Sequence, residues 1–143
     1  MRNAECGVRS EALRAKGGQV KQGNVTEAKS FDFAVRIVNL YKHLTTDKNE
    51  YVLSKQLLRS GTSIGANVTE AERAQSTPDF YSKMSIALKE ANETDYWLRL
   101  LHKTEYLTDI EYSSISKDIS EIISLLVAIT KTVKNGGKNE KQK

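Results

Sequence analysis

The chain has 143 residues, 38% of them hydrophobic and 28% charged, with a single cysteine and a formal net charge of +4. That length suits one domain with a modest core, and a lone cysteine (Cys6) excludes an intrachain disulfide. The longest apolar run, Leu125 to Ile129, falls far short of the roughly 20 residues a membrane span needs, and no charged segment followed by an apolar stretch opens the chain. A soluble, cytoplasmic protein is expected.

The positive charge lies at the ends. Residues 1–29 hold six basic and three acidic residues, residues 30–130 hold eleven and fourteen, and residues 131–143 hold five lysines and Glu140. The expected folded body is therefore acidic, which weighs on any nucleic-acid role because clustered positive charge supplies most non-specific affinity for phosphate.

Residues 1–29 lack a sustained period and contain Gly7, Gly17, Gly18 and Gly23, so they are expected to form a disordered leader. Two origins stand open for its first part. It is either a genuine flexible leader or an upstream reading frame, since Lys16-Gly17-Gly18 can be encoded by a purine-rich run and Val20 by a GTG start codon. The intact mass of natively expressed protein separates them.

From Ser30, a candidate cap, a helical period places Phe33, Ile37, Leu40 and Leu44 on one line, with Ala34, Val38 and Tyr41 beside it. The polar stretch Thr45 to Glu50 ends this first helix. A second carries Leu53, Leu57, Gly61, Ile64, Val68 and Ala71, stopping near Ala74. Its middle holds a patch of small residues, Ser60, Gly61, Ser63, Gly65 and Ala66. Each glycine costs a helix interior about 1 kcal/mol against alanine, so the patch points to close packing with another helix.

Ser76-Thr77-Pro78-Asp79 then supplies a cap, a first-turn proline and an acid at the helix's positive end. The third helix follows with Phe80, Met84, Ala87, Ala91, Thr94, Leu98 and Leu101, running to about Glu105. Thr108-Asp109-Ile110-Glu111 reads as a capping box for a fourth, whose core series is Ile115, Ile119, Ile122, Leu126, Ile129 and Val133. Asn135-Gly136-Gly137 should end it. Short loops make successive helices antiparallel, so the expected fold is an all-α, antiparallel up-down four-helix bundle over residues 30–135, followed by a basic tail at 136–143.

Helices three and four carry a second apolar stripe: Ile86, Leu88 and Trp97 on one, Ile123, Leu125 and Val127 on the other. Either the core face is wide or another subunit covers the stripe.

The segments SFDFAVRIVNLYKHL (30–44), SKQLLRSGTSIGANVTEA (54–71), DFYSKMSIALKEANET (79–94) and YWLRLL (96–101) resemble the four-helix-bundle proteins encoded in intervening sequences of some bacterial 23S rRNA genes. The resemblance implies an all-α bundle that assembles into a ring, commonly a pentamer, and brings no settled activity. Related proteins accompany diversity-generating retroelements, where a basic ring binds nucleic acid beside a reverse transcriptase. The acidic body departs from that basic character.

Candidate chemistry is sparse. Ferritin-like metal sites pair Glu-x-x-His motifs, but Leu40 and Arg99 precede His43 and His102 at that spacing, and Glu90 and Glu93 come without a histidine. No Gly-x-Ser-x-Gly elbow or phosphate loop is present. If the second and third helices turn around position 76, Arg59 lies level with Glu90 and Glu93, and an interhelix ion pair fixing register or a subunit contact is expected. Trp97, Tyr96 and Arg99 could stack bases, although their leucine neighbours favour packing. Lys131, Lys134, Lys138, Lys141 and Lys143 are the candidate nucleic-acid contacts. The expectation is a non-enzymatic homo-oligomer, a pentameric ring, without cofactor or metal, that scaffolds RNA or DNA through basic tails. A protein–protein interaction module without a nucleic-acid role is the alternative.

Overall fold

A computed structural model describes residues 22–141. The possible start at Val20 and the earlier leader lie outside these residues. Four helices fill the described chain: α1 (Gln22–Thr46), α2 (Leu53–Glu72), α3 (Thr77–Lys103) and α4 (Asp109–Lys141). Consecutive helices pack on one another, and α1 closes against α4 through the sparsest of the four seams, giving the up-down bundle.

The periods determine the core. Phe33, Ile37 and Leu44 of α1 meet Leu57, Ile64, Val68 and Ala71 of α2. Met84, Ala87, Ala91, Leu98 and Leu101 of α3 and Ile115, Ile119, Ile122, Leu126 and Ile129 of α4 complete it. Leu40, Leu53 and Phe80 pack against this core while partly buried. Of the second stripes, Leu88, Trp97 and Ile123 join the core margin, whereas Ile86 and Val127 remain exposed.

Two helix ends differ from expectation. α1 starts at Gln22, so residues 22–29 are helix and not leader. Thr26 and Ser30 are buried in line with Phe33 and Ile37, and the Ser30 hydroxyl donates to the Glu27 carbonyl (3.0 Å) inside the helix instead of capping it. At the other end, α4 passes through Asn135-Gly136-Gly137 and reaches Lys141. A side chain at Gly136 would meet no atom within 4 Å, so the helix is open on that side.

The loops are tied by local chemistry. Ser76 accepts from the Asp79 amide (3.2 Å) and caps α3. The expected capping box forms: the Thr108 amide donates to Glu111 Oε1 (2.9 Å), and the Glu111 amide to Thr108 Oγ1 (3.2 Å). α3 ends in a Schellman motif, with Tyr106 N–H on the Leu101 carbonyl (2.9 Å), Glu105 N–H on that of His102 (3.1 Å), and Glu105 left-handed at φ 69°.

The α1–α4 seam is bridged by long polar side chains. Lys29 pairs with Glu121, and Arg36 pairs with Asp118 and donates to Ser114 Oγ (2.8 Å). At the loop end, His43 stands between Asp47 (2.8 Å) and Glu111 (3.6 Å). His102 meets Asp109 (2.7 Å) and stacks on Tyr112.

Candidate interaction surfaces

The small-residue patch divides between two neighbours. Gly61 faces α1, where a Cβ would lie 2.8 Å from Ile37 Cγ2, and a Cβ on Gly65 would lie 3.3 Å from the Ser30 carbonyl oxygen. Ser60 turns the other way, its buried hydroxyl in hydrogen-bond contact with Thr94 of α3 (3.0 Å). The Ser63 hydroxyl returns to the Arg59 carbonyl (2.6 Å), and Ala66 is exposed. The patch therefore lets α2 sit close to α1 while one hydroxyl pins α3.

The α2–α3 register is close to that expected. Ser60 meets Thr94, and Glu70 accepts from Lys83 (3.0 Å), which holds the Lys83 ammonium above its ordinary range through that hydrogen bond and the attached charge. Arg59, however, pairs with neither Glu90 nor Glu93 within the chain. The inward position at this level belongs to Ser60, which leaves Arg59 exposed on the outer flank of α2. Glu93 instead accepts from Trp97 Nε1 (3.3 Å), and the Glu90 carbonyl accepts from Thr94 (2.8 Å). Lys131 and Lys134 are exposed on α4, while Lys138, Lys141 and Lys143 fall outside the described side chains.

One buried carboxylate was not singled out by motif. Glu50 lies beneath the start of α2 and accepts from the amides of Val52 (3.1 Å), Leu53 (2.9 Å) and Ser54 (2.6 Å). Burial opposes its charge, but the Leu53 and Ser54 donors, with Val52 behind them, outweigh it and hold the carboxyl below its usual range. Its signal in the sequence is an acid preceding an uncapped helix start. Glu111 is likewise held low, chiefly by the Thr108 amide against the cost of burial, with His43 and Lys48 adding positive charge.

The surface also carries exposed apolar groups: Tyr51 and Val52 ahead of α2, Ile110 and Val127 on α4, and pairs on α1 and α3. Phe31 (56% exposed) and Val35 (38%) share the outer face of α1, and Ile86 (39%) and Tyr96 (50%) that of α3. Open clefts of about 450 Å³ and 330 Å³ lie beside the α2–α3 turn and beside Arg36, Leu107 and Ile110. Among the described residues no three metal-ligating side chains gather, and no helix is long and apolar enough to cross a membrane.

The family model described as 23S rRNA-intervening sequence protein matches residues 24–128. The chain belongs to this family. A solved structure shares the fold: a protein with unknown function from the S23 ribosomal protein family of Bacteroides thetaiotaomicron VPI-5482. It is 61% identical, the match covers 77% of this chain and 98% of that one, and the TM-score is 0.76. No curated protein matches the chain. The family match begins within α1, ahead of Ser30, and so includes most of the helical residues that periodicity assigned to the leader.

Proposed function

We propose that this 23S rRNA-intervening sequence protein is a non-enzymatic, cytoplasmic scaffold that assembles into a homo-oligomeric ring, a pentamer being the expected form, and meets RNA or DNA through its lysine-rich C-terminal ends. The observation that carries the assembly is the placing of its exposed apolar groups. In the order α1, α2, α3, α4 around the bundle, α1 and α3 stand at diagonal corners, so Phe31 and Val35 face away from Ile86 and Tyr96. Two unlike apolar patches on opposite sides suit head-to-tail contacts, which close into a ring when the rotation allows. A ring multiplies the +4 of each chain, and several tails on one particle bind by avidity.

The interior supports a role without catalysis. The buried hydroxyls are engaged locally: Ser30 with the Glu27 carbonyl, Ser54 with that of Glu50 (2.8 Å), and Ser60 with Thr94.

Light scattering on the full chain tests the assembly. A mass of about five chains is expected, and Phe31→Glu should shift it toward the single chain. A wild-type protein that stays monomeric overturns the ring. Fluorescence anisotropy with structured RNA and duplex DNA across a salt series tests the nucleic-acid contact. Truncation after Asn135 should weaken binding and flatten its salt dependence; absence of wild-type binding at low salt would move the function to a protein-only scaffold.

A further inference from the structure

The outward faces of α1 and α3 each combine apolar groups with a charge that no ion pair within the described residues takes up. On α1, Phe31 and Val35 stand one turn apart opposite Phe33 and Ile37, and Asp32 lies beside Phe31. On α3, Ile86, Lys89, Glu93 and Tyr96 step by three, four and three residues, opposite Ala87, Ala91 and Leu98. Each set belongs to a single helix, so its members share one surface by periodicity alone. Neither Asp32 nor Lys89 forms an ion pair among the described residues, and Glu93 accepts from Trp97 Nε1.

Contacts across two seams set the relative heights of these faces. Ile37 against Gly61 and Ser30 against Gly65 fix α1 on α2, while Ser60 with Thr94 and Glu70 with Lys83 fix α2 on α3. Carried across both seams, Phe31 stands between the heights of Ile86 and Lys89, Asp32 at that of Lys89, and Val35 one turn below Tyr96. As alternate members of an up-down bundle, α1 and α3 also run in the same direction.

A ring closed by rotation relates its copies without a shift along its axis. With the bundle standing along that axis, α1 of one copy meets α3 of the next in parallel and at equal height. Lys42 then comes level with Arg99, but Asp95 already holds that guanidinium (3.3 Å).

We infer that the contact between copies is a parallel, in-register seam of α1 on the next copy's α3, with Phe31 on Ile86, Val35 under Tyr96 and the Asp32 carboxylate on the Lys89 ammonium. This rests on the ring reading above and names the side chains that meet. The apolar pairs supply the burial. The charge pair fixes the register, because sliding α1 up by one turn sets Asp32 against Glu93.

Light scattering on the full-length protein tests the seam. Phe31→Glu breaks only the α1 side and Tyr96→Glu only the α3 side, so each should lower the assembled mass to that of the single chain. Mixed in equal amounts, the two should give a mass of about two chains and nothing larger, since each variant keeps the face the other has lost. Asp32→Lys and Lys89→Asp should each weaken assembly, and combined in one chain they should restore it, with thermal melting as in the wild type throughout. Ala28→Cys with Ser85→Cys, two positions at equal height, should be joined between copies by a short bismaleimide in Cys6→Ser protein. Wild-type protein that stays monomeric overturns the ring reading as a whole. A wild-type assembly that either face variant leaves intact, a mixture that does not pair, or no link between positions 28 and 85 overturns this seam and leaves the ring standing. Pairing in the mixture without rescue by the charge exchange overturns the register.

Discussion

At the scale of single residues, Gly61 is the most constrained position described. An added methyl group would stand 2.8–2.9 Å from Ile37 Cγ1 and Cγ2, atoms close to the backbone of a fully buried residue and unable to swing aside. Alanine gains about 1 kcal/mol of helix propensity, whereas overpacking costs about 1–3 kcal/mol. Gly61→Ala should therefore lower stability by about 1 kcal/mol in urea denaturation, yet become neutral or stabilising when Ile37→Ala removes the obstacle. Equal effects in both backgrounds would mean that the two helices do not meet at this pair. Glu50 makes a second prediction, through pH. Its carboxyl is held below the usual range in the folded protein, as is that of Glu111. The stability they contribute is complete above the unfolded carboxyl pKa near 4.3 and disappears as pH falls through the lower folded values. The urea midpoint should stay level from neutral pH to about pH 5 and then drop. Glu50→Gln should lower the plateau by about 1–2 kcal/mol and soften the acid limb.

At the scale of the helix, sequence and structure agree where apolar spacing carries the signal and part where polar groups do. Met84 through Leu101 and Ile115 through Ile129 could be read residue by residue, since only one face of each helix can be buried. The start of α1 could not, because its first two inward positions are Thr26 and Ser30. Buried hydroxyl residues leave no mark in a count of apolar ones, and the Ser30 hydroxyl is met inside the helix by the Glu27 carbonyl. Glu50 escaped for a related reason: a long acid that folds back to cap a helix resembles any loop glutamate until its donors are seen. The Arg59 pair could be placed in register but not in direction, since one position decides between the seam and the outer flank. The ends of α3 and α4 give further tests. Glu105 holds a left-handed backbone at φ 69° that L side chains resist at about 1–2 kcal/mol. Allowing for the greater freedom glycine loses on folding, Glu105→Gly should raise stability by about 0.5–1 kcal/mol. Thr108→Ala should lower it by about 1 kcal/mol, because it opens the reciprocal box with Glu111. Thermal melts of the two variants should move in opposite directions.

At the scale of the whole molecule, three of the four seams join helices adjacent in sequence, and only α1 with α4 brings distant parts of the chain together. The average separation between contacting residues is consequently short, a topology associated with folding in microseconds to milliseconds. Each helical hairpin can form before the next begins, and the entropy of the large loop is spent on one closing event. That last seam is held by exposed pairs, Lys29 with Glu121 and Arg36 with Asp118, whose attraction falls as salt rises. Ionic strength should therefore act mainly on opening: unfolding quickens with added sodium chloride while the early hairpin steps keep their pace. On this expectation the bundle should open first along the α1–α4 seam, the line at which it is last completed.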